Sequence, residues 1–271
     1  MSFTVRSVDV GFADALDWHL QPFGRDKPEQ HAFPVDLFIQ EEDQDVSPPP
    51  YSFFFATSFG MTHTFLPSVL EYALWRVNAG VQERVRDFLL LHAGAVKRDQ
   101  TAVLLPAKMD SGKSSTVIGL LEAGFSYLSD EFGALDPISG AVYPVPKTIH
   151  IDATTLGLIP GLEERLRDRG GMNSRLNQRF VRPVDVEANA GEAGPVGSIV
   201  FLSPEFDGPP RLVPLPAAQA VEEMAATSFN LFRYEDRGVV LLARIAKEAP
   251  AFRLEGGSPR ERAALLAERL P

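Results

Sequence analysis

The chain has 271 residues, and with 45% hydrophobic and 23% charged residues it has the composition of an ordinary globular protein. Its net charge of −10 argues against nucleic acid or an anionic membrane as the main partner, because both carry negative charge. The lack of cysteine in the sequence excludes disulfide bonds, thiolate metal sites and cysteine nucleophiles.

Residues 1–85 are predicted to form a β-rich N-terminal region, for which we consider a role in substrate recognition. The apolar patterns of FTVRSVDV, FPVDLFIQ and YSFFFATSF indicate strands, and the acidic, proline-ending EEDQDVSPPP indicates an exposed loop. A helix is predicted from Phe65, with Ser68 as its cap and Asn78–Gly80 as its stop. The N-terminus lacks a secretory signal and no apolar run is long enough to span a membrane, so we predict a cytoplasmic protein.

Residues 86–271 are predicted to form a second domain of α/β type. DFLLLHAGAV and TAVLLPA indicate two buried strands joined by the turn KRDQ. KSSTVIGLLEAG predicts a helix that Gly124 ends, and FSYLS predicts a strand that ends at Asp130. GSIVFL and RLVPL indicate further strands, while GLEERLRDRGG, AAQAVEEMAATSF and SPRERAALLAERL indicate helices. In the last of these, Ser258 is the predicted cap and Pro259 the first helical residue.

The segment that joins the strand TAVLLPA to the helix KSSTVIGLLEAG has the spacing of a phosphate-binding P-loop, with alanine in place of the first glycine. Gly112 lets backbone N–H groups turn toward phosphates, and the helix N-terminus adds further N–H groups and a positive dipole end. Lys113 would reach the β- and γ-phosphates of ATP, and the Ser114 hydroxyl would bind Mg²⁺. The predicted nucleotide-binding residues are Ala107, Lys108, Met109, Asp110, Ser111, Gly112, Lys113, Ser114 and Ser115.

An acidic pair, Asp130 and Glu131, follows Lys113 after one short helix and one strand. We predict that this strand lies next to the P-loop strand, so that both end at the edge where open α/β sheets bind ligands. One carboxylate would then bind Mg²⁺ with Ser114 and the other would accept the proton of an attacking hydroxyl. The sequence leaves open which carboxylate has which role. His92 precedes the P-loop strand and would approach the phosphates if the two strands pair.

The residues from Leu89 to Pro137 resemble the HPr kinase/phosphorylase family, in which a His-Gly or His-Ala strand precedes the P-loop and an Asp-Asp pair follows it. A weaker similarity continues through YPVPKTIHID, RFVRPVDV and SIVFLSPEF, and the pattern resembles the HPr-kinase-related branch of bacterial peptide-modification clusters. The resemblance implies a P-loop kinase core of the HPr-kinase/phosphoenolpyruvate-carboxykinase type with a mixed central sheet. It also implies that Asp130 is the catalytic acid/base, that Glu131 replaces the second Asp, and that His92 assists proton movement. The sequence lacks the Glu-x-Arg-Gly signature of the bifunctional enzymes, which leaves reverse phosphorolysis and HPr as a substrate open.

Several other polar residues are weaker candidates. Lys147 and Arg182 would contact phosphate or substrate, or else be solvated surface cations. Arg175 and Arg179 lie in GGMNSRLNQR, a polar segment suited either to a lid over ATP or to a plain surface loop. No metal-ligand spacing is found among three scattered histidines, so no zinc site is predicted at His31, His63 or His150.

The predicted function is that of an ATP- and Mg²⁺-dependent kinase, with Lys113, Asp130 and His92 as catalytic residues and a serine of a peptide or protein as the acceptor. One alternative is a kinase of the same fold that acts on a small metabolite hydroxyl. A second alternative is a non-catalytic nucleotide-binding module in a biosynthetic complex. Asp130 favours an enzyme, because a module that only binds nucleotide needs no carboxylate there. We expect no nucleic acid or membrane partner, and the sequence allows a homo-oligomer.

Overall fold

The structure, a computed structural model, describes residues 3–7, 9–20, 33–39, 51–55, 58–152, 156–157, 159–168 and 179–270. These residues belong to two compact units, of which the first ends at Val85 and the second begins at Arg86. Within the described ranges, no helix is both long and apolar enough to cross a lipid bilayer.

In its described residues, the first unit contains a four-stranded sheet and two helices. The sheet order follows the chain order, with the first pair of strands parallel and the others antiparallel. Its strands are β1 (Phe3–Ser7), β2 (Phe33–Ile39), β3 (Tyr51–Phe55) and β4 (Ser58–His63). The helices are α1 (Val10–Leu20) and α2 (Leu66–Arg84). A small core of buried side chains joins the two helices and β3, and it consists of Phe12, Ala15, Leu16, Phe53, Val69, Leu70 and Ala73.

Both helices of this unit differ from the sequence prediction. The strand predicted over FTVRSVDV ends at Ser7, and α1 begins soon after because the Asp9 carboxylate accepts a hydrogen bond from the Phe12 backbone N–H (2.7 Å). The helix α2 begins before the predicted cap, has no side-chain cap at its N-terminus, and continues through the predicted stop at 78–80 to Arg84. Asn and Gly inside a helix cost about 1 kcal/mol or less each, which the packing of the apolar face outweighs.

The second unit has an eight-stranded central sheet in the order β13-β14-β12-β6-β5-β8-β9, with β7 also paired to β5. β12 is parallel to both β6 and β14, and the other pairs are antiparallel. The central strands are β5 (Leu89–Arg98), β6 (Thr101–Pro106), β7 (Ser126–Ser129), β8 (Phe132–Leu135), β9 (Val142–Tyr143), β12 (Val196–Leu202), β13 (Arg211–Leu215) and β14 (Ala251–Glu255). A separate antiparallel pair is formed by β10 (Ile149–Ile151) and β11 (Arg179–Val181). The unit is therefore α/β with a mixed central sheet, as predicted.

Helices cover both faces of this sheet. They are α3 (Lys113–Glu122), α4 (Leu162–Asp168), α5 (Ala217–Ala226), α6 (Glu235–Glu248) and α7 (Pro259–Arg269). Alternate residues of β6 point to opposite faces: Val103 and Leu105 pack with α3 and α7, whereas Ala102 and Leu104 pack with α5 and α6. This arrangement gives a three-layer unit with the sheet between two apolar cores. Neither α6 nor β14 was among the predicted elements.

The predicted neighbour of the P-loop strand is wrong. β7 pairs with β5, and β5 lies between β7 and β6. Because β5 is antiparallel to both of its neighbours, β7 still runs parallel to β6. The carboxyl ends of β6 and β7 therefore lie at the same edge of the sheet, where the residues after each strand meet. They meet there although β7 pairs with β5 and not, as expected, with β6.

Candidate functional site

The loop between β6 and α3 turns at two residues with positive φ, Asp110 and Gly112. Gly112 is left-handed, with φ of 77°, and α3 begins at Lys113. A Cβ atom at position 112 would lie 2.9 Å from the ring of Phe206, so glycine suits this position for backbone and steric reasons together. The Thr116 N–H donates to the Gly112 carbonyl (2.9 Å), which closes the first helical turn.

The nine predicted nucleotide-binding residues differ in exposure. The Ser111 hydroxyl donates to the Lys108 carbonyl (2.7 Å), and the Ser115 hydroxyl donates to the Gly112 carbonyl (3.0 Å). The first bond lies within the loop and the second lies in the first turn of α3. The exposed residues are Lys108, Met109 and Asp110, the half-buried ones are Gly112 and Ser114, and the buried ones are Ala107, Ser111, Lys113 and Ser115.

A glycine in β5 brings the P-loop helix close to the sheet. A Cβ atom at Gly94 would lie 2.8 Å from a Val117 methyl group and 3.3 Å from Cγ of Lys113. Any larger residue would push α3 and the lysine stem away from the sheet. The glycine in LHAGAV thus helps to position Lys113, a role that the sequence pattern did not indicate.

Asp130, directly after β7, is buried and accepts hydrogen bonds from three side chains through its carboxylate. Its Oδ1 accepts hydrogen bonds from the Tyr127 hydroxyl (2.8 Å) and from Lys147 Nζ (3.0 Å). Its Oδ2 accepts one from the Ser114 hydroxyl (3.2 Å), and its backbone carbonyl accepts one from Lys113 Nζ. The structure therefore brings together Lys113, Ser114 and Asp130 as predicted from the sequence, and adds Tyr127 and Lys147 to them.

The charges around Asp130 keep its carboxylate ionised. Burial alone would raise the pKa of Asp130, but the charges of Lys147 and Lys113 and the hydrogen bonds from Tyr127 and Lys147 lower it below its ordinary value. Burial lowers the pKa of Lys113, an effect that the carboxylates of Asp130 and Glu131 oppose. Burial also raises the pKa of Tyr127 well above its ordinary value, so its hydroxyl remains a hydrogen-bond donor.

His92 and Glu131 form a second pair beside this cluster. His92 Nε2 lies 3.8 Å from Glu131 Oε1, and both side chains are partly exposed. In β5, the His92 carbonyl accepts the Ala107 N–H (3.2 Å), which ties the strand to the first residue of the P-loop. Burial, followed by the charge of Lys113, lowers the pKa of His92, so the imidazole is neutral near pH 7.

Of the weaker candidates, Lys147 belongs to the cluster around Asp130. Arg182 forms an ion pair with Asp185 (3.0 Å) at the start of a 3-10 helix, and Arg179 lies in β11. Arg175, most of the proposed lid and His31 lie outside the described residues. Among the residues that the structure does describe, no group of three or more His, Asp or Glu side chains forms a metal-binding cluster.

Two further residues at the P-loop were not identified from the sequence. Arg262 of α7 is fully buried, and its guanidinium donates to the backbone carbonyls of Ser111 (3.2 Å), Gly256 (2.8 Å), Ser203 (3.0 Å) and Glu205. The guanidinium carbon lies 4.3 Å from the centroid of the Phe206 ring. Arg262, Ala263 and Leu266 share the buried side of α7, so helical periodicity gave a signal for this arginine.

The donor set of the site suits Mg²⁺ and phosphate. The Ser114 hydroxyl and the Asp130 carboxylate are oxygen groups 3.2 Å apart, and Mg²⁺ is generally bound by protein oxygen atoms together with substrate phosphates. Lys113 and Lys147 provide two positive charges next to them. The sequence matches no protein-family model, and no curated protein matches it at a significant level. The resemblance to the HPr kinase/phosphorylase family thus depends on the motifs themselves.

Proposed function

We propose that this protein is an ATP- and Mg²⁺-dependent kinase that transfers the γ-phosphoryl group of ATP to a hydroxyl group, with a serine of a peptide or protein as the acceptor. The main support is the buried Asp130 carboxylate between Lys147 and the P-loop serine. Burying a charge is costly, so we take Asp130 to have a use, which in this proposal is to bind Mg²⁺ beside the phosphates. The partly exposed pair of Glu131 and His92 supports catalysis over nucleotide binding alone.

In this proposal Ser114 and Asp130 hold the metal. The contacts support Asp130 as a metal ligand more than as a base. Its Oδ1 already accepts hydrogen bonds from Lys147 and Tyr127. Its Oδ2 faces the hydroxyl of Ser114, the other proposed ligand. A carboxylate with a lowered pKa is also a weak proton acceptor. When bound, Mg²⁺ would neutralise the negative charge on the phosphate oxygens. Lys113 binds the β- and γ-phosphates from the base of the loop.

Glu131 and His92 then act on the acceptor hydroxyl. The Glu131 carboxylate is partly exposed, so an incoming hydroxyl has access to it, and His92 lies 3.8 Å away. Both the Glu131 carboxylate and the neutral His92 imidazole are able to accept a proton, and such a pair suits general-base catalysis. These roles exchange the assignment that the family resemblance implies for the two acidic residues.

The test is phosphoryl transfer from γ-labelled ATP with Mg²⁺ to serine-containing peptides and to small hydroxyl compounds. We expect Glu131→Gln to keep ATP binding and to lower transfer by roughly 10²- to 10⁴-fold, the usual contribution of a general base. Asp130→Asn should instead weaken the Mg²⁺ dependence of ATP binding. Lys113→Ala, the negative control, should bind no ATP. Full transfer by Glu131→Gln would exclude it as the base, and ATP binding without transfer to any acceptor would favour the non-catalytic module.

A further inference from the structure

The loop after β12 brings an aromatic ring to the P-loop. β12 is the parallel neighbour of β6, with Ile199 opposite Leu104, so the loops that follow both strands lie at the same edge of the sheet. Phe206 belongs to the loop after β12, and its ring lies so close to Gly112 that a Cβ atom there would be only 2.9 Å away. Phe206 is nevertheless 40% exposed as a residue. Its position on the loop is thus fixed beside the phosphate site while part of the residue stays open to solvent.

Arg262 packs against this ring. Its guanidinium donates to carbonyls on the P-loop, on the loop after β12 and on the turn before α7. It also lies over the Phe206 ring at 4.3 Å, a cation–π distance. One buried side chain therefore fixes the relative positions of the P-loop and the aromatic ring. This rigidity matters because an ordered surface loses little conformational entropy when a ligand binds to it.

An exposed aromatic ring at this place suits a nucleobase. In α/β sheets, nucleotides bind across the carboxyl ends of adjacent parallel strands, here β6 and β12. With the phosphates in the P-loop, the nucleoside must extend over an adjoining loop. Aromatic side chains stack on bases with little preference for the base, because every base has a π-face. We propose that Phe206 is the stacking platform for the base of the bound nucleotide, an inference that rests on the proposed nucleotide binding and extends it to the nucleoside.

Stacking and phosphate binding are separable by experiment. Isothermal titration calorimetry of the full chain with Mg²⁺ would compare ATP, GTP and inorganic tripolyphosphate, which has no base. We expect Phe206→Ala to raise the dissociation constants for ATP and GTP about 5- to 100-fold and to leave that for tripolyphosphate unchanged. Phe206→Tyr keeps the ring and should bind like the wild type. Phe232→Ala removes another exposed phenylalanine, 73% exposed, and serves as the matched control.

The outcomes distinguish the inference from the proposed function. Equal losses for ATP and tripolyphosphate would mean that the ring only shapes the P-loop, and unchanged ATP binding by Phe206→Ala would place the base elsewhere; either result overturns the inference. A wild-type protein that binds neither ATP nor tripolyphosphate would instead refute nucleotide binding itself. Phe206→Leu, which fills more of the space beside Gly112, repeats the test if the alanine variant does not fold by circular dichroism.

Discussion

Replacing Lys147 with methionine removes the cation that faces the buried Asp130 carboxylate and keeps an unbranched side chain. The two charged atoms are 3.0 Å apart, and the side chains of Lys147 and Asp130 are 13% and 3% exposed. At an effective dielectric constant of ~20, unit charges at this distance attract each other by roughly 5 kcal/mol, part of which the desolvation of the lysine offsets.

The expected loss of stability depends on the groups that still contact the Asp130 carboxylate in the variant. Removal of one partner from a buried ion pair costs about 3–5 kcal/mol. Lys113, Ser114 and Tyr127 continue to stabilise the charge of Asp130. We therefore expect Lys147→Met to lower the free energy of unfolding by about 3 kcal/mol at pH 7, the lower end of that range.

The loss should depend on pH in a defined direction. The pKa of Asp130 is lower in the folded protein than its ordinary value of 3.8. The stabilisation by its ionised form is thus fully present above pH 3.8 and disappears as the pH falls through the lower, folded-state pKa. The unfolded-state pKa is the same in wild type and Lys147→Met, so the difference in stability follows the folded-state pKa of Asp130, which loss of the Lys147 charge raises. The difference should therefore be largest near pH 7 and should shrink as acid protonates Asp130.

Urea denaturation of the metal-free protein, followed by circular dichroism over a pH series, would measure both quantities. Lys247→Met, at an exposed lysine of α6, is the matched control and should change the free energy of unfolding by less than about 0.5 kcal/mol. The reasoning would be refuted if Lys147→Met were as stable as the wild type at pH 7. A loss of the same size at every pH would also refute it, since it would then not arise from the Asp130 charge.

Three other substitutions test separate contacts. Gly112→Ala should destabilise the loop and weaken ATP binding, because its φ of 77° and the nearby Phe206 ring leave no room for Cβ; an unchanged ATP-induced thermal shift would contradict this. Tyr127→Phe removes a hydrogen bond to the Asp130 carboxylate and should cost about 1.5–3 kcal/mol in urea denaturation, whereas no loss would show that the bond contributes nothing. Ser258→Ala removes the cap of α7 and should cost about 1 kcal/mol by the same assay, with Ser258→Thr retaining most of the stability.

Features with a local physical cause could be predicted from the sequence. The hairpin of β5 and β6 follows from two apolar runs around a short turn. The stop of α3 follows from Gly124, whose φ of 92° places it in the left-handed region while the Phe125 N–H bonds to the Leu120 carbonyl. The start of α7 follows from Ser258, which caps the helix, and Pro259, its first residue. Each of these depends on residues within a few positions of one another.

Helix ends in the first unit could not be predicted in the same way. Asn78 and Gly80 are poor helix formers, and by themselves they indicate the end of α2. The helix continues past them because its apolar face packs into a core with α1 and β3. Packing of this kind outweighs local propensity, and the sequence of α2 alone does not contain the partners that supply it.

The sequence by itself determined the turn at Gly112 before α3 and the closeness of Lys113, Ser114 and Asp130, because only a short helix and a short strand separate them. Only the tertiary structure decided that β5 separates β7 from β6 and that Lys147 reaches Asp130 from 17 residues away. It also decided that Arg262 contacts Ser111 across 151 residues. Such contacts depend on which distant strands pair and which helix faces pack, and the free energy that selects them comes from the burial of the whole core, not from any local segment.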